Sequence, residues 1–321
     1  MKLSRVTAAS LASALLAGSS LGFVSSSSRA LVVGVGDQSP ALFADDHFER
    51  LDPRRVRYIT PYDSALRPRL RRDVDGWMGA ARAAGKEIVV AFNPPVGMRC
   101  PNLRRAKGCR PVRVAAYRKA FKAFHRRYPY VRIVQPWNEV NSLTQPTFHH
   151  PEAVVSYYAV VRRHCRRCTV VGADIQDLPN ARRYTRRLLK GFSQRGIRAP
   201  RVWGVHNYSD TNRFVSARRS VLGKLVRLLP GKIWLTETGG IYRFQPQNAR
   251  QSFAPDAERQ ARAMENLFRT AQRYRRDVER IYIYHWFGAS PTNRWDSGVL
   301  DPSGVPRPAH AVLERHANLF R

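Results

Sequence analysis

The chain has 321 residues, 43% of them hydrophobic, and a formal net charge of +33. The apolar content is ample for a packed core, and the single low-complexity stretch, Ser25-Ser26-Ser27-Ser28, is too short to make this a low-complexity chain. The charge comes from 56 basic residues, only eight of them lysine, set in dispersed arginine pairs rather than in a block of five or more, and no nucleic-acid motif accompanies them.

In chain order, residues 1–30 read as a secretory signal. Lys2 and Arg5 give a positive start, an apolar small-residue run follows over 6–18, and Ser28-Arg29-Ala30 has small residues at the first and third positions of a cleavage site. The run falls short of the ~20 apolar residues that span a bilayer. An uncleaved membrane anchor is the alternative, and no later segment reads as transmembrane. Residues 31–321 form the single predicted domain.

Short β-rich runs, each followed by a helical pattern, mark strands at residues 31–36, 56–60, 87–92, 131–135, 169–173, 201–205, 232–236 and 280–284. Between them apolar residues recur at three- and four-residue spacing. Val114, Tyr117, Ala120, Phe121 and Phe124 make one stripe; Val154, Tyr157, Tyr158 and Val161 a second; Ala263, Leu267, Phe268 and Ala271 a third. A closing helix is predicted over 307–318, with Val312 and Leu313 in its stripe. Eight strand-then-helix units without a ninth predict an α/β fold, a single (β/α)8 TIM barrel. A doubly wound open sheet is disfavoured, because no glycine-rich phosphate loop follows the first strand.

The four cysteines fall into two local pairs. Cys100 and Cys109 bracket a loop, and Cys165-Arg166-Arg167-Cys168 lies at a helix end, so two local disulfides are predicted for a secreted chain. Zinc is the alternative for the CxxC, but no second CxxC or HxxxH accompanies it.

In a TIM barrel the working residues stand where strands end, on the C-terminal face. That rule selects Trp137, Asn138 and Glu139 after the fourth strand and His206 and Tyr208 after the sixth. It adds Glu237 after the seventh and Trp286 after the eighth. Two carboxylates on one rim are what glycoside hydrolysis requires, one as proton donor and one as nucleophile or base.

Asn138-Glu139, His206-x-Tyr208, Glu237 and Trp286, each in register with its strand, resemble clan A of the glycoside hydrolases over essentially all of residues 31–321. The compact catalytic cores of families 39 and 128 are the most similar in pattern, with family 5 also in view. Val140 stands where that clan commonly has a proline after the glutamate. The resemblance implies that Glu139 is the general acid/base and Glu237 the nucleophile. It also implies that Arg57, on the second strand, supports the nucleophile by a charge-assisted hydrogen bond.

The residue types suit these roles. Partial burial and the charge of Glu237 would keep Glu139 protonated for donation. Tyr208 could donate to Glu237, Asn138 could hold the sugar 2-hydroxyl, and His206 could position Glu139 or a sugar hydroxyl. Trp137 and Trp286 offer flat faces for sugar rings. The plain alternatives are ordinary loop carboxylates, packed polar side chains, rim tryptophans and, for Arg57, one more surface arginine. Asp37, Asp63, Asp174 and Asp296 also follow strands and are rival cleft residues.

The expected activity is that of a secreted or envelope-associated retaining β-glycosidase, endo-acting because the loops after the strands are mostly short. It needs no cofactor or metal, and its partner is a polysaccharide or oligosaccharide. A catalytically silent glycan-binding barrel is the alternative. The charge reads first as an arginine bias spread over solvated helix faces, with nonspecific attraction to anionic polymers as the alternative and no specific nucleic acid expected.

Overall fold

The computed structural model describes residues 31–98, 100, 109–245 and 252–321. The predicted signal segment lies outside the described residues. Nine parallel strands form the main sheet: β1 (Val32–Gly36), β2 (Arg55–Pro61), β3 (Glu87–Asn93), β4 (Ile133–Gln135), β5 (Thr169–Val170), β6 (Asp174–Gln176), β7 (Val202–His206), β8 (Lys232–Thr238) and β10 (Val278–Tyr284). Their spatial order is β5-β4-β3-β2-β1-β10-β8-β7-β6. A separate antiparallel ribbon pairs β9 (Arg243–Phe244) with β11 (Trp295–Asp296).

The two end strands, β5 and β6, are halves of one strand. Between them Val171 N donates to Val134 O at 3.0 Å on one side, and Gly172 N donates to Val202 O at 2.8 Å on the other. The ring closes through this broken strand, leaving the eight strand positions that the sequence predicts and a (β/α)8 barrel.

Alternation along the strands sorts the interior. Outward residues such as Val56, Val90, Val134, Val205, Leu235 and Ile281 join the large core under the helices. Inward residues form two layers. Low in the barrel, Val89, Ile133, Val171, Trp234 and Tyr282 make a small apolar cluster of their own. Above it Arg57, Gln135, Asp174 and Thr236 form a buried polar layer. Tyr282 fits because β1 offers Gly34 opposite it: a Cβ there would lie 2.8 Å from the Tyr282 ring.

The surrounding helices include α2 (Pro68–Ala83), α3 (Val114–Arg127), α4 (Pro151–His164), α5 (Ala181–Gln194), α8 (Ala257–Arg273) and α9 (Pro308–Arg315), with shorter α1 (Asp46–Leu51), α6 (Tyr208–Asn212) and α7 (Val221–Val226). The predicted stripes on α3, α4 and α8 are the buried faces, apart from Val114, which is exposed at the start of α3. The closing helix stops at Arg315 and continues as a 3-10 turn, Ala317–Leu319, short of the predicted end at residue 318 as an α-helix.

Both predicted disulfides are present, Cys100–Cys109 and Cys165–Cys168. A ring nitrogen of His125 lies within 4.8 Å of both sulfurs of the second pair. That histidine is far from the CxxC in sequence, and the sulfurs are bonded to each other rather than offered to a metal. Among the described residues, no helix is long and apolar enough to cross a membrane.

Candidate active site

Arg57 is the hub at the barrel mouth. It is inward on β2 and 1% exposed. Its Nε donates to Gln135 Oε1 at 2.6 Å, its Nη1 to Glu237 Oε2 at 2.8 Å, and its Nη2 to Asn138 Oδ1 at 2.7 Å and Asp174 Oδ2 at 3.1 Å. Burial alone would pull the guanidinium pKa down, but the charges of Asp174 and Glu237 outweigh it and the pKa is raised. Asp174 accepts further hydrogen bonds from Gln135 Nε2 and from Thr236 Oγ1, and Arg57 holds its carboxyl below the usual range against the opposing effect of burial. This layer closes only because β7 has Gly204 here: a Cβ would lie 1.9 Å from Asp174 Oδ1.

A bulge aims Glu237. Gly204 pairs with Trp234 but His206 with Glu237, and Ile281 pairs with Leu235 but Ile283 with Thr238, so β8 carries one extra residue against both neighbours. Thr236 already points inward, onto Asp174. In an unbroken strand Glu237 would therefore face the helices. The extra residue turns it into the mouth instead, where it is 7% exposed.

Glu139 reaches the same space by another route. Its φ is 49°, the left-handed region that non-glycine residues seldom adopt. The following amide, Val140 N, donates to Asp174 O at 2.9 Å, a bond that proline at 140 has no proton to make. Gln176 Nε2 donates to Glu139 Oε1 at 2.5 Å.

His206, fully buried at the end of β7, stands between the carboxylates. Its Nδ1 is 3.2 Å from Glu139 Oε1 and 3.9 Å from Glu237 Oε2, and its Nε2 is 3.8 Å from Asp174 Oδ2. Burial disfavours the imidazolium, but Glu237, Asp174 and Glu139 together raise its pKa to about 9. A folded-state pKa above the ordinary 6.5 stabilises the fold fully below pH 6.5, and that contribution is lost as pH rises through about 9. Stability to urea is therefore expected to fall between pH 6.5 and 9.5, by on the order of 3 kcal/mol. A His206→Gln variant should show a clearly shallower dependence over that window, and an equally steep one would remove this role from His206.

The mouth opens into a cleft of about 560 Å³. Its lining includes the polar Ser142, Thr144, Gln176 and Asp177 and the largely apolar Ile241, Phe244, Phe253, Tyr284 and Trp295. Tyr208 packs edge-on against Trp295, and its hydroxyl lies 3.5 Å from Glu237 Oε1. Burial, reinforced by the charge of Glu237, raises the Tyr208 pKa well above its usual value, so the hydroxyl stays a donor. Asp177 accepts from Asp210 N at 2.5 Å and Ser209 N at 3.1 Å, and burial with the Asp210 charge pushes it up to about 7.

The structure brings together six of the sequence-selected residues: Arg57, Asn138, Glu139, His206, Tyr208 and Glu237. It removes Trp137 and Trp286 from the list of sugar platforms. Both are 0% exposed. Trp137 stacks on Tyr157 and donates from Nε1 to Gln145; Trp286 lies edge-on to Phe48 and donates from Nε1 to Asp45. The aromatic lining of the cleft comes instead from Tyr208, Tyr284, Phe244, Phe253 and Trp295, the last three beyond the ends of the barrel strands, where barrel-strand periodicity carries no signal.

The rival carboxylates hold the frame. Asp37 accepts from Trp286 N and Phe287 N, Asp63 pairs with Arg67, and Asp296 pairs with Arg307. Gln135, Gln176 and Asp177 were not selected from sequence, although Gln135 is an inward position on a recognised strand.

No family model matches this chain, and no curated protein matches it. Solved structures do. Xylanase B from Clostridium stercorarium F9 is similar at 15% identity with a TM-score of 0.60, the match covering 88% of this chain and 96% of that one. A family 39 glycoside hydrolase from the gut symbiont Bacteroides cellulosilyticus WH2 is similar at 14% identity and a TM-score of 0.59, covering 91% and 64%. A glucosidase from Croceicoccus marinus reaches a TM-score of 0.65 at 13% identity, covering 90% and 67%. The chain has the TIM-barrel fold of these glycoside hydrolases.

Proposed function

We propose that the protein is a secreted, retaining glycoside hydrolase acting within β-linked polysaccharide chains. One observation carries the reading: an oxygen of Glu139, one of Glu237 and a nitrogen of His206 lie within 4.8 Å of one another. A retaining pair has its carboxyl groups ~5–5.5 Å apart, whereas an inverting pair keeps ~6.5–9.5 Å to admit a water. Glu237, gripped by Arg57 and faced by the Tyr208 hydroxyl, is the nucleophile that attacks the anomeric carbon. Glu139, hydrogen-bonded by Gln176 and beside His206, donates its proton to the leaving oxygen and then takes one from the water that releases the sugar. A cleft of about 560 Å³ with several aromatic side chains in its lining supports attack within a chain. The two disulfides support an oxidising destination.

The test is hydrolysis of a panel of β-glucans, mannans, xylans, galactans and acidic glycans by the native protein and by Glu139→Gln. Release of oligosaccharides that drops roughly 10²–10⁴-fold in the variant is expected, with a smaller drop on aryl glycosides whose leaving group needs no proton. Equal losses on both substrate types would remove Glu139 from the acid role.

A further inference from the structure

One side of the cleft continues onto a cationic helix. Residues 176–179 line the cleft. The next residue, Asn180, is tied to the loop that carries Glu139: its Nδ2 donates to Asn141 O, and Asn141 Nδ2 donates to its Oδ1, both at 2.9 Å. Immediately over that rim Arg183 and Arg187 line a small pocket with His149 and Tyr184. Arg187 Nη2 donates to His149 O at 3.0 Å, which fixes its guanidinium there.

These two arginines begin a longer surface. α5 buries Ala181, Tyr184, Thr185, Leu188 and Phe192 and leaves Arg182, Arg183, Arg186, Arg187 and Lys190 exposed. The helix has no acidic residue, and none of these five cations joins an ion pair among the described residues. Elsewhere the carboxylates do meet arginines, as Asp75 meets Arg127, Glu87 meets Arg280 and Glu265 meets Arg315. An acid-free cationic face also occurs on α3, so composition alone does not single out α5; its place does, because Asn180 at its start is tied to the loop that carries Glu139. Like charges at i and i+4 repel, so the face weakens its own helix unless something anionic lies on it. Successive pairs are four residues apart, about 6 Å along the helix axis, close to the length of one pyranose in an extended chain. The guanidinium fork matches a carboxylate.

We propose that the substrate is an acidic polysaccharide carrying uronate carboxylates. Its chain, leaving the cleft over Pro179 and Asn180, is held by Arg183 and Arg187 and then by Arg182, Arg186 and Lys190. The inference rests on the glycosidase reading for what occupies the cleft, and on α5 alone for the charge of that occupant.

The test is calorimetric binding of polymannuronate, its carboxyl-reduced neutral counterpart and duplex DNA to the full chain at several salt concentrations. A quadruple variant, R182Q/R183Q/R186Q/R187Q, is set against R269Q/R273Q/R275Q/R276Q, which removes the same charge from α8 and the turn after it. The expected result is binding of polymannuronate and not of the neutral polymer. The α5 variant should lose affinity by roughly tenfold or more, with the salt slope reduced by about 3, and the control variant should not. Equal losses in both variants, or equal affinity for the neutral polymer, would overturn the proposal. So would tighter binding of DNA lost in the α5 variant, which would make this a nucleic-acid surface. Hydrolysis of neutral glycans with no dependence on α5 would leave the glycosidase standing and remove this substrate class. Binding that depends on α5 without hydrolysis of any glycan would do the reverse.

Discussion

On the proposed retaining path, Glu237→Ala is expected to lower turnover of the native substrate by roughly 10⁴-fold or more, because Glu237 is the carboxylate assigned to attack the anomeric carbon. Glu139, the other glutamate lining the cleft, is assigned to the leaving oxygen in the proposed path. The space left beside Arg57 Nη1, on the cleft side, would admit a small anion. Added azide should then restore product release and yield a glycosyl azide with inverted configuration, since the anion attacks from the face the carboxylate left. Activity close to that of the native protein would take the nucleophile away from Glu237. Loss without rescue on any activated substrate would count against a retaining path. Unfolding measured on the same preparation separates a chemical loss from a structural one, and little change is expected, because Glu237 contributes one of four side chains bonded to Arg57.

The largest effect on stability is expected from Arg57→Met. The guanidinium is buried with four acceptors, and two of its partners, Asp174 and Glu237, are carboxylates with side-chain exposures of 0% and 10%. Removing the cation leaves those charges close together in a poorly solvated site, which costs about 3–5 kcal/mol. Urea unfolding should report the loss. Adding Asp174→Asn should return part of it, with a coupling of about 0.5–3 kcal/mol, because the second change removes the stranded charge. Arg57→Lys should recover little, since one ammonium cannot span acceptors on β4, β6, β8 and the loop after β4. If Arg57→Met unfolds at the native urea concentration, the polar layer contributes nothing to stability and its role is confined to the chemistry.

The sequence carried the barrel well where strands are long and uniform. β3 and β8 begin at the predicted residues, and β2 and β10 extend slightly beyond them. The fifth predicted strand, 169–173, covers β5 and the break but stops short of β6, because the break at 171–173 is made by partners on two sides and leaves no mark in composition. Among the residues that meet at the barrel mouth, Glu139, Glu237, His206 and Tyr208 are legible in the sequence because the strand-end rule needs only register. Trp137 and Trp286 satisfied the same rule and were misread. A tryptophan at a strand end is equally suited to cover a sugar or to seal the barrel, and only its neighbours decide. Asp174 shows the opposite case: it was weighed as a cleft residue, and its place under Arg57 depends on Gly204 in the adjoining strand.

The sequence by itself therefore determined the architecture, both disulfide pairings and the strand ends that bear the carboxylates. These follow from periodicity and proximity along the chain. Only the tertiary structure decided which way the carboxylates point. Glu237 is turned inward by an extra residue in β8, measured against two neighbouring strands, and Glu139 by a left-handed backbone held from β6. Both depend on hydrogen bonds between segments far apart in sequence, and no local pattern of residues encodes such a partner.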